Sequence, residues 1–175
     1  TFLDTNAVER ERGITIFSKQ ARFSSENCDF ILLDTPGHVD FSAETERTLS
    51  ILDCAILVIS GTDGVQAHTA TLWKLLEQYQ VPTFLFINKM DLPDTDKAKL
   101  LSALQSRLNP NCMDFGASTA EIHEAAAMCD EALLENYLET GTVTEGNLRS
   151  LIAQRKIVPC CFGSALKLDA IEDFL

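Results

Sequence analysis

"TFLFINKMD", residues 83–91, is the stretch whose reading decides the fold. Its first six residues enclose the continuous apolar run Phe84–Ile87, and Pro82 stands just ahead of the stretch. A run of that length, closed by a polar turn, reads as a strand buried on both faces of a sheet. Four more runs have strand character: "TIFSKQARF" (15–23), "CDFILLDT" (28–35), "CAILVIS" (54–60) and "IVPCCFG" (157–163). Helical patterns lie between them. Residues 42–52 space Ala43, Glu46, Leu49 and Leu52 as a helix does, and "AHTATLWKLLEQYQ" (67–80) puts Leu72, Leu75, Leu76 and Tyr79 on one stripe. Residues 94–108 give another helix.

Strict alternation stops after that. Ile122, Ala126, Cys129, Leu133 and Tyr137 fall on one face of an expected single long helix, which Gly141 ends. "TVTE" (142–145) resembles a capping box opening a shorter helix through Leu148, Leu151 and Ile152. Two successive helices within about 111–155 read as an insertion into a βαβ series. The expected fold class is α/β, a mostly parallel open sheet with helices on both faces. In such sheets ligands bind at the carboxyl ends of the strands.

Composition narrows the partners. The chain has 175 residues, 46% of them hydrophobic, enough for one domain with a core. A net charge of −12 argues against nucleic acid held on a broad basic face, so no sequence-specific DNA is expected. Residues 111–150 hold eight acidic side chains against Arg149 alone, which reads as a solvated helical face. Six cysteines show no C-x-x-C pair, and several sit in apolar runs as small hydrophobes, which favours a reducing compartment without a zinc site. No apolar run reaches the length of a membrane span, so a cytoplasmic protein with no membrane partner is expected. The chain starts at Thr1 and stops at "IEDFL", which looks like mid-helix, and is expected to be a fragment: residues 1–175 as one partial domain, with no second domain.

The loops at the strand ends carry the chemistry. Strand 28–35 runs into Asp34-Thr35-Pro36-Gly37-His38. An aspartate at a strand end is well placed to hold Mg2+ through water, and Gly37 can bring a backbone N–H against a terminal phosphate. For His38 alone, a polar residue on a turn is the ordinary reading. Strand 83–88 runs into Asn88-Lys89-Met90-Asp91. A carboxylate at Asp91 can accept hydrogen bonds from the ring N–H and the exocyclic amine of guanine, and adenine offers neither donor there. Asn88 can tie the loop and reach the base N7, while the Lys89 stem can lie against the ring. The competing reading makes Asp91 the N-cap of helix 94–108. Strand 157–163 leads to Gly163-Ser164-Ala165-Leu166-Lys167, where the Ala165 N–H can contact the guanine carbonyl oxygen. In "ERERGITI" (9–16), the Thr15 hydroxyl can coordinate magnesium and its backbone can sense a third phosphate.

"RGITI", "DTPGHVDF", "NKMD" and "GSALK" together resemble the GTPase domain of the translational GTPases, across essentially the whole chain. "FLDTNAVERERGITIFSKQ", "VQAHTATLW" and "EALLENYLETGTVTE" look like the elongation factor G branch, and most like the tetracycline-resistance ribosomal protection proteins. Elongation factor G carries a longer insert than the roughly forty residues between Asp91 and the E-x-L-L-E-x-Y-L helix here. The resemblance implies a monomeric, ribosome-dependent enzyme hydrolysing GTP to GDP. In it His38 orients the attacking water, Gly37 contacts the γ-phosphate, Thr15 and Asp34 serve Mg2+, and Ile14 walls off His38 before activation. Nucleotide contacts are implied for Asp34, Thr35, Pro36, Gly37 and His38, for Asn88, Lys89, Met90 and Asp91, and for Ser164, Ala165 and Leu166. Elongation factor G-type translocation and a release-factor GTPase are the alternatives within the family. A catalytically inactive G-domain-like interaction module is the alternative outside it.

One departure is large. No G-x-x-x-x-G-K-[ST] loop occurs in the chain, so the expected domain lacks its first strand, phosphate loop and first helix. Strands 28–35 and 54–60 would then flank an empty slot, and residues 1–175 alone are expected to be aggregation-prone or molten and inactive.

Overall fold

The computed structural model describes residues 19–25, 28–35 and 42–174, which divide into two compact units, one ending at Leu52 and the other beginning at Asp53. In the first unit β1 (Lys19–Ser25) and β2 (Cys28–Asp34) pair antiparallel, with Lys19 opposite Asp34 and Ser25 opposite Cys28. Phe23 and Phe30 stack across the pair at 5.0 Å between ring centroids, a cross-strand contact that fixes the register. Helix α1 (Ser42–Leu49) follows, and Thr48 and Leu49 in its last turn are buried. It is shorter than the sequence pattern suggests: Ile51 and Leu52 belong to the turn after it, and Ile51 is exposed.

The second unit holds four parallel strands in the order β3-β4-β6-β5: β3 (Ala55–Ser60), β4 (Thr83–Asn88), β5 (Cys112–Asp114) and β6 (Val158–Phe162). Parallel neighbours need crossovers, supplied by α2 (Ala67–Gln78), α3 (Lys97–Arg107), α4 (Thr119–Ala127), α5 (Glu131–Thr140) and α6 (Glu145–Ala153). One face of the sheet turns Ile59, Leu85, Ile87, Val158 and Cys160 onto Trp73 of α2 and Leu104 of α3. On the other face Phe84 and Phe86 meet Phe174 of the short helix α7 (Ile171–Phe174), at 6.3 and 5.4 Å. Helices thus lie against both faces of the sheet at β4, as the α/β reading requires. Leu85 and Ile87 are wholly buried, each contributing about 1.5–3 kcal/mol from transfer alone.

The helical segment between β5 and β6, expected as part of an insertion, has a core of its own, built from Met113, Ala126, Ala127, Leu133, Val143, Leu151 and Ile157. Its expected long helix is in fact two. Met128 closes α4, and the Asp130 carboxylate accepts the Leu133 N–H at 3.1 Å, capping α5. Asp130 also pairs with Lys156 at 2.5 Å. The apolar stripe continues across the break, so periodicity alone passes over it. Gly141 ends α5 in the left-handed conformation, φ +69°, as its position suggests. The cap of α6 is Thr144, which accepts the Asn147 N–H, and not a box starting at Thr142. Strand β5, three residues long, adds an unexpected edge to the sheet. Cys112 and Cys160 are buried as small hydrophobes, whereas Cys54, grouped by the sequence with β3, is exposed ahead of it. Among the described residues no helix is long and apolar enough to cross a membrane.

Candidate functional site

The carboxyl ends of β3, β4 and β6 converge, and backbone hydrogen bonds tie them. Gly163 N–H donates to the Ile87 carbonyl at 2.9 Å, Met90 N–H to the Gly163 carbonyl at 3.0 Å, and Gly61 N–H to the Asn88 carbonyl at 2.7 Å. Asn88 supplies the side-chain knot. Its Oδ1 accepts the Lys89 N–H at 2.8 Å and the Ala165 N–H at 2.9 Å, so one amide oxygen joins the two loops. The tie read from the sequence is in place. The Ala165 N–H, expected to face a guanine carbonyl, is here engaged by Asn88, and a base carbonyl has to share or displace that bond.

The reversal after Asn88 needs Lys89 at φ +65°, a left-handed conformation that a long side chain adopts only where surrounding bonds hold it. The Thr95 hydroxyl helps by donating toward the carbonyls of Met90 and Leu92, at 3.1 and 3.0 Å. Two glycines make room. A Cβ on Gly61 would stand 2.9 Å from Met90 Sδ, and one on Gly163 would collide with the Asp169 carbonyl. Gly61 and Thr95 are the residues the sequence reading missed. A glycine just past a strand end facing the N-K-x-D loop was the available signal.

Asp91 sits in the middle of this frame. The Ser164 hydroxyl, and then Lys167, hold its carboxyl below the ordinary carboxylate value. Lys167 Nζ lies 3.4 Å from Asp91 Oδ2. At neutral pH Asp91 is therefore ionised and purely an acceptor. The N-cap alternative for it fails, because α3 is capped by Asp96, whose carboxylate accepts the Lys99 N–H at 3.1 Å. Leu166 is 90% exposed on the same loop, where an apolar side chain has no packing role in the core.

The stretch expected from the sequence to meet phosphate belongs to the first unit and is described only as far as Thr35. Asp34 ends β2, and Ile14, Thr15, Pro36, Gly37 and His38 lie outside the described residues. Among the described residues no three acidic, histidine or cysteine side chains gather as a metal cluster. A single hard carboxylate at a strand end still fits a magnesium ion that keeps waters and takes its remaining oxygens from phosphate.

The family model of the elongation factor Tu GTP binding domain matches residues 1–175. The chain belongs to that family. A mitochondrial ribosome-releasing factor 2 of Drosophila melanogaster is 43% identical over 117 residues, which are 66% of this chain and 16% of that protein. A crystal structure of a Thermus thermophilus protein superposes with a TM-score of 0.85 at 22% identity, covering 99% of this chain and 33% of that one. The second likeness establishes the fold. The chain spans a small part, 16%, of the length of its curated relative.

Proposed function

We propose that this chain is the guanine-reading part of a ribosome-dependent GTPase that hydrolyses GTP to GDP and phosphate. The observation that carries the reading is the Asp91 carboxylate, ionised and framed by Asn88, Ser164 and Ala165 at the joined ends of β4 and β6. A bidentate acceptor there pairs with the two donors on the guanine edge and rejects adenine. Asn88 and Lys89 flank the base, and Asp34 with Thr15 would hold Mg2+, which screens phosphate charge when bound. His38, beside the glycine proposed to meet the γ-phosphate, orients the attacking water and stabilises charge in the transition state. The ribosome-releasing relative supports action on the ribosome, and the motifs shared with the elongation factor G branch point the same way. Tetracycline protection rests on the motif resemblance alone. Cytoplasmic action by a monomer belongs to the proposal too. The named relative is mitochondrial, and cell fractionation separates the two locations.

The two corners are separated by one experiment on the full-length protein. Asp91→Asn should weaken GTP binding at least tenfold and improve xanthosine triphosphate, whose extra carbonyl accepts from the new amide. His38→Ala should leave GTP affinity nearly unchanged and lower ribosome-stimulated turnover about a hundredfold or more. Unchanged GTP binding in the first variant overturns the base-reading role of Asp91. Turnover within threefold of wild type in the second overturns the catalytic role of His38.

A further inference from the structure

Lys167 is the one residue of the guanine corner for which the base-reading account has no use. Its backbone N–H closes the turn onto the Ser164 carbonyl at 3.2 Å, which any side chain would permit. Its ammonium instead reaches back to Asp91 Oδ2, at 3.4 Å. A guanine edge needs both oxygens of that carboxylate, one for the ring N–H and one for the exocyclic amine. The ammonium stands against one of them. It is also free to leave, since the Lys167 side chain is 62% exposed while that of Asp91 is only 18% exposed.

We infer that Lys167 is a specificity-loop gate: its ammonium pairs with Asp91 Oδ2, and a guanine edge that takes both carboxylate oxygens displaces it into solvent. This deepens the proposed function and rests on the guanine-reading role of Asp91. Ligand binding then competes with an ion pair at the protein surface. Such pairs are weak and screened by salt. Removing the ammonium should therefore tighten guanine nucleotide binding modestly, by about two- to fivefold.

The test is calorimetric titration of the full-length protein with GDP. Lys167→Met keeps the aliphatic stem and should bind GDP about two- to fivefold more tightly at low ionic strength, with the gain shrinking as salt rises. Lys167→Arg retains a cation and should stay near wild type. In an Asp91→Asn background Lys167→Met should change nothing, because the partner of the gate is gone. Weaker or unchanged GDP binding by Lys167→Met overturns the gate. An equal change with Asp91→Asn overturns it too, by showing that Lys167 acts on the loop rather than on Asp91. If Asp91→Asn itself keeps the preference for GDP over xanthosine diphosphate, the base-reading role fails first, and the gate falls with it.

Discussion

Strands β3 and β4 are neighbours of equal length and similar apolar content, "AILVIS" and "TFLFIN", yet they are buried very differently. Phe86 is 4% exposed and its register partner Val58 is 58% exposed. Ile56, opposite Phe84, is 48% exposed. Among the described residues β4 is paired on both edges and β3 on one, and Phe174 covers the β4 aromatics without burying the β3 pair. The loop that bears Asp91 grows from β4, an interior strand. A carboxylate with the base-reading role proposed for Asp91 has to be held to within a fraction of an ångström, and an interior strand anchored by two neighbours supplies that stiffness.

The largest effect should come from loosening β4 itself. Leu85→Ala empties a wholly buried site between Leu57 and Cys160, its partners in register. It should cost about 3–5 kcal/mol, against a domain stability of roughly 5–15 kcal/mol. Hydrogen exchange of the 83–91 peptide in the full-length protein measures this. A loss under about 1 kcal/mol would mean that β4 is no more rigid than β3, and the contrast would collapse.

The entrance to β4 is clamped by a residue far away in sequence. Arg155 Nη1 donates to the carbonyls of Leu76 and Val81, and its guanidinium lies 5.3 Å from the centre of the Trp73 ring. Arg155→Met keeps much of the packing and leaves both carbonyls without this donor. It should cost about 1–3 kcal/mol, again read as faster exchange of 83–91, with residues 55–60 following only through their pairing.

What the sequence made legible follows the same division. The run 83–88 and the loop after it are readable because continuous burial and a four-residue motif are local properties. The Asp91 alternatives were separable only by seeing Asp96 cap α3. The break at Met128–Asp130 was passed over because the apolar stripe runs on across it, although Asp130 is a local N-cap signal; only its bond to Lys156, 26 residues away, has no local sign. Strand β5 is three residues whose strand character comes from pairing Cys112 with Val158, and nothing local announces it. The expectations for Thr15 and His38 lie outside the described residues and stand as proposals.

Acid should reach the insertion before the sheet. The bond to Lys156, and then the Leu133 N–H, hold the Asp130 carboxyl below its ordinary value of 3.8. A carboxyl depressed in the folded state stabilises the fold above its unfolded pKa, and that contribution fades as pH falls through the folded value. Stability should therefore be flat near neutrality and decline below about pH 4. Asp130→Asn should remove part of that decline, with protection of residues 128–134 as the readout. An unchanged acid limb would show that the Lys156 pair does not hold the turn between α4 and α5.

The smallest effect belongs to β3, and its size is informative in both directions. In residues 1–175, Val58→Thr removes apolar surface that is already more than half in water. It should change stability by no more than about 0.5 kcal/mol, while a hydroxyl on the strand that is paired on one edge among the described residues should reduce self-association. Light scattering against concentration checks the second effect, and the first is read from urea unfolding reported by Trp73, the chain's single tryptophan, which is buried. The same substitution in the full-length protein sharpens the comparison. If it also costs little there, β3 is an open edge in the working molecule. If it costs about 1–2 kcal/mol, the Ile56–Val58 face is covered by other parts of the protein. The contrast between β3 and β4 would then belong to residues 1–175 alone, and self-association, where light scattering shows it, would have its physical cause in that uncovered face.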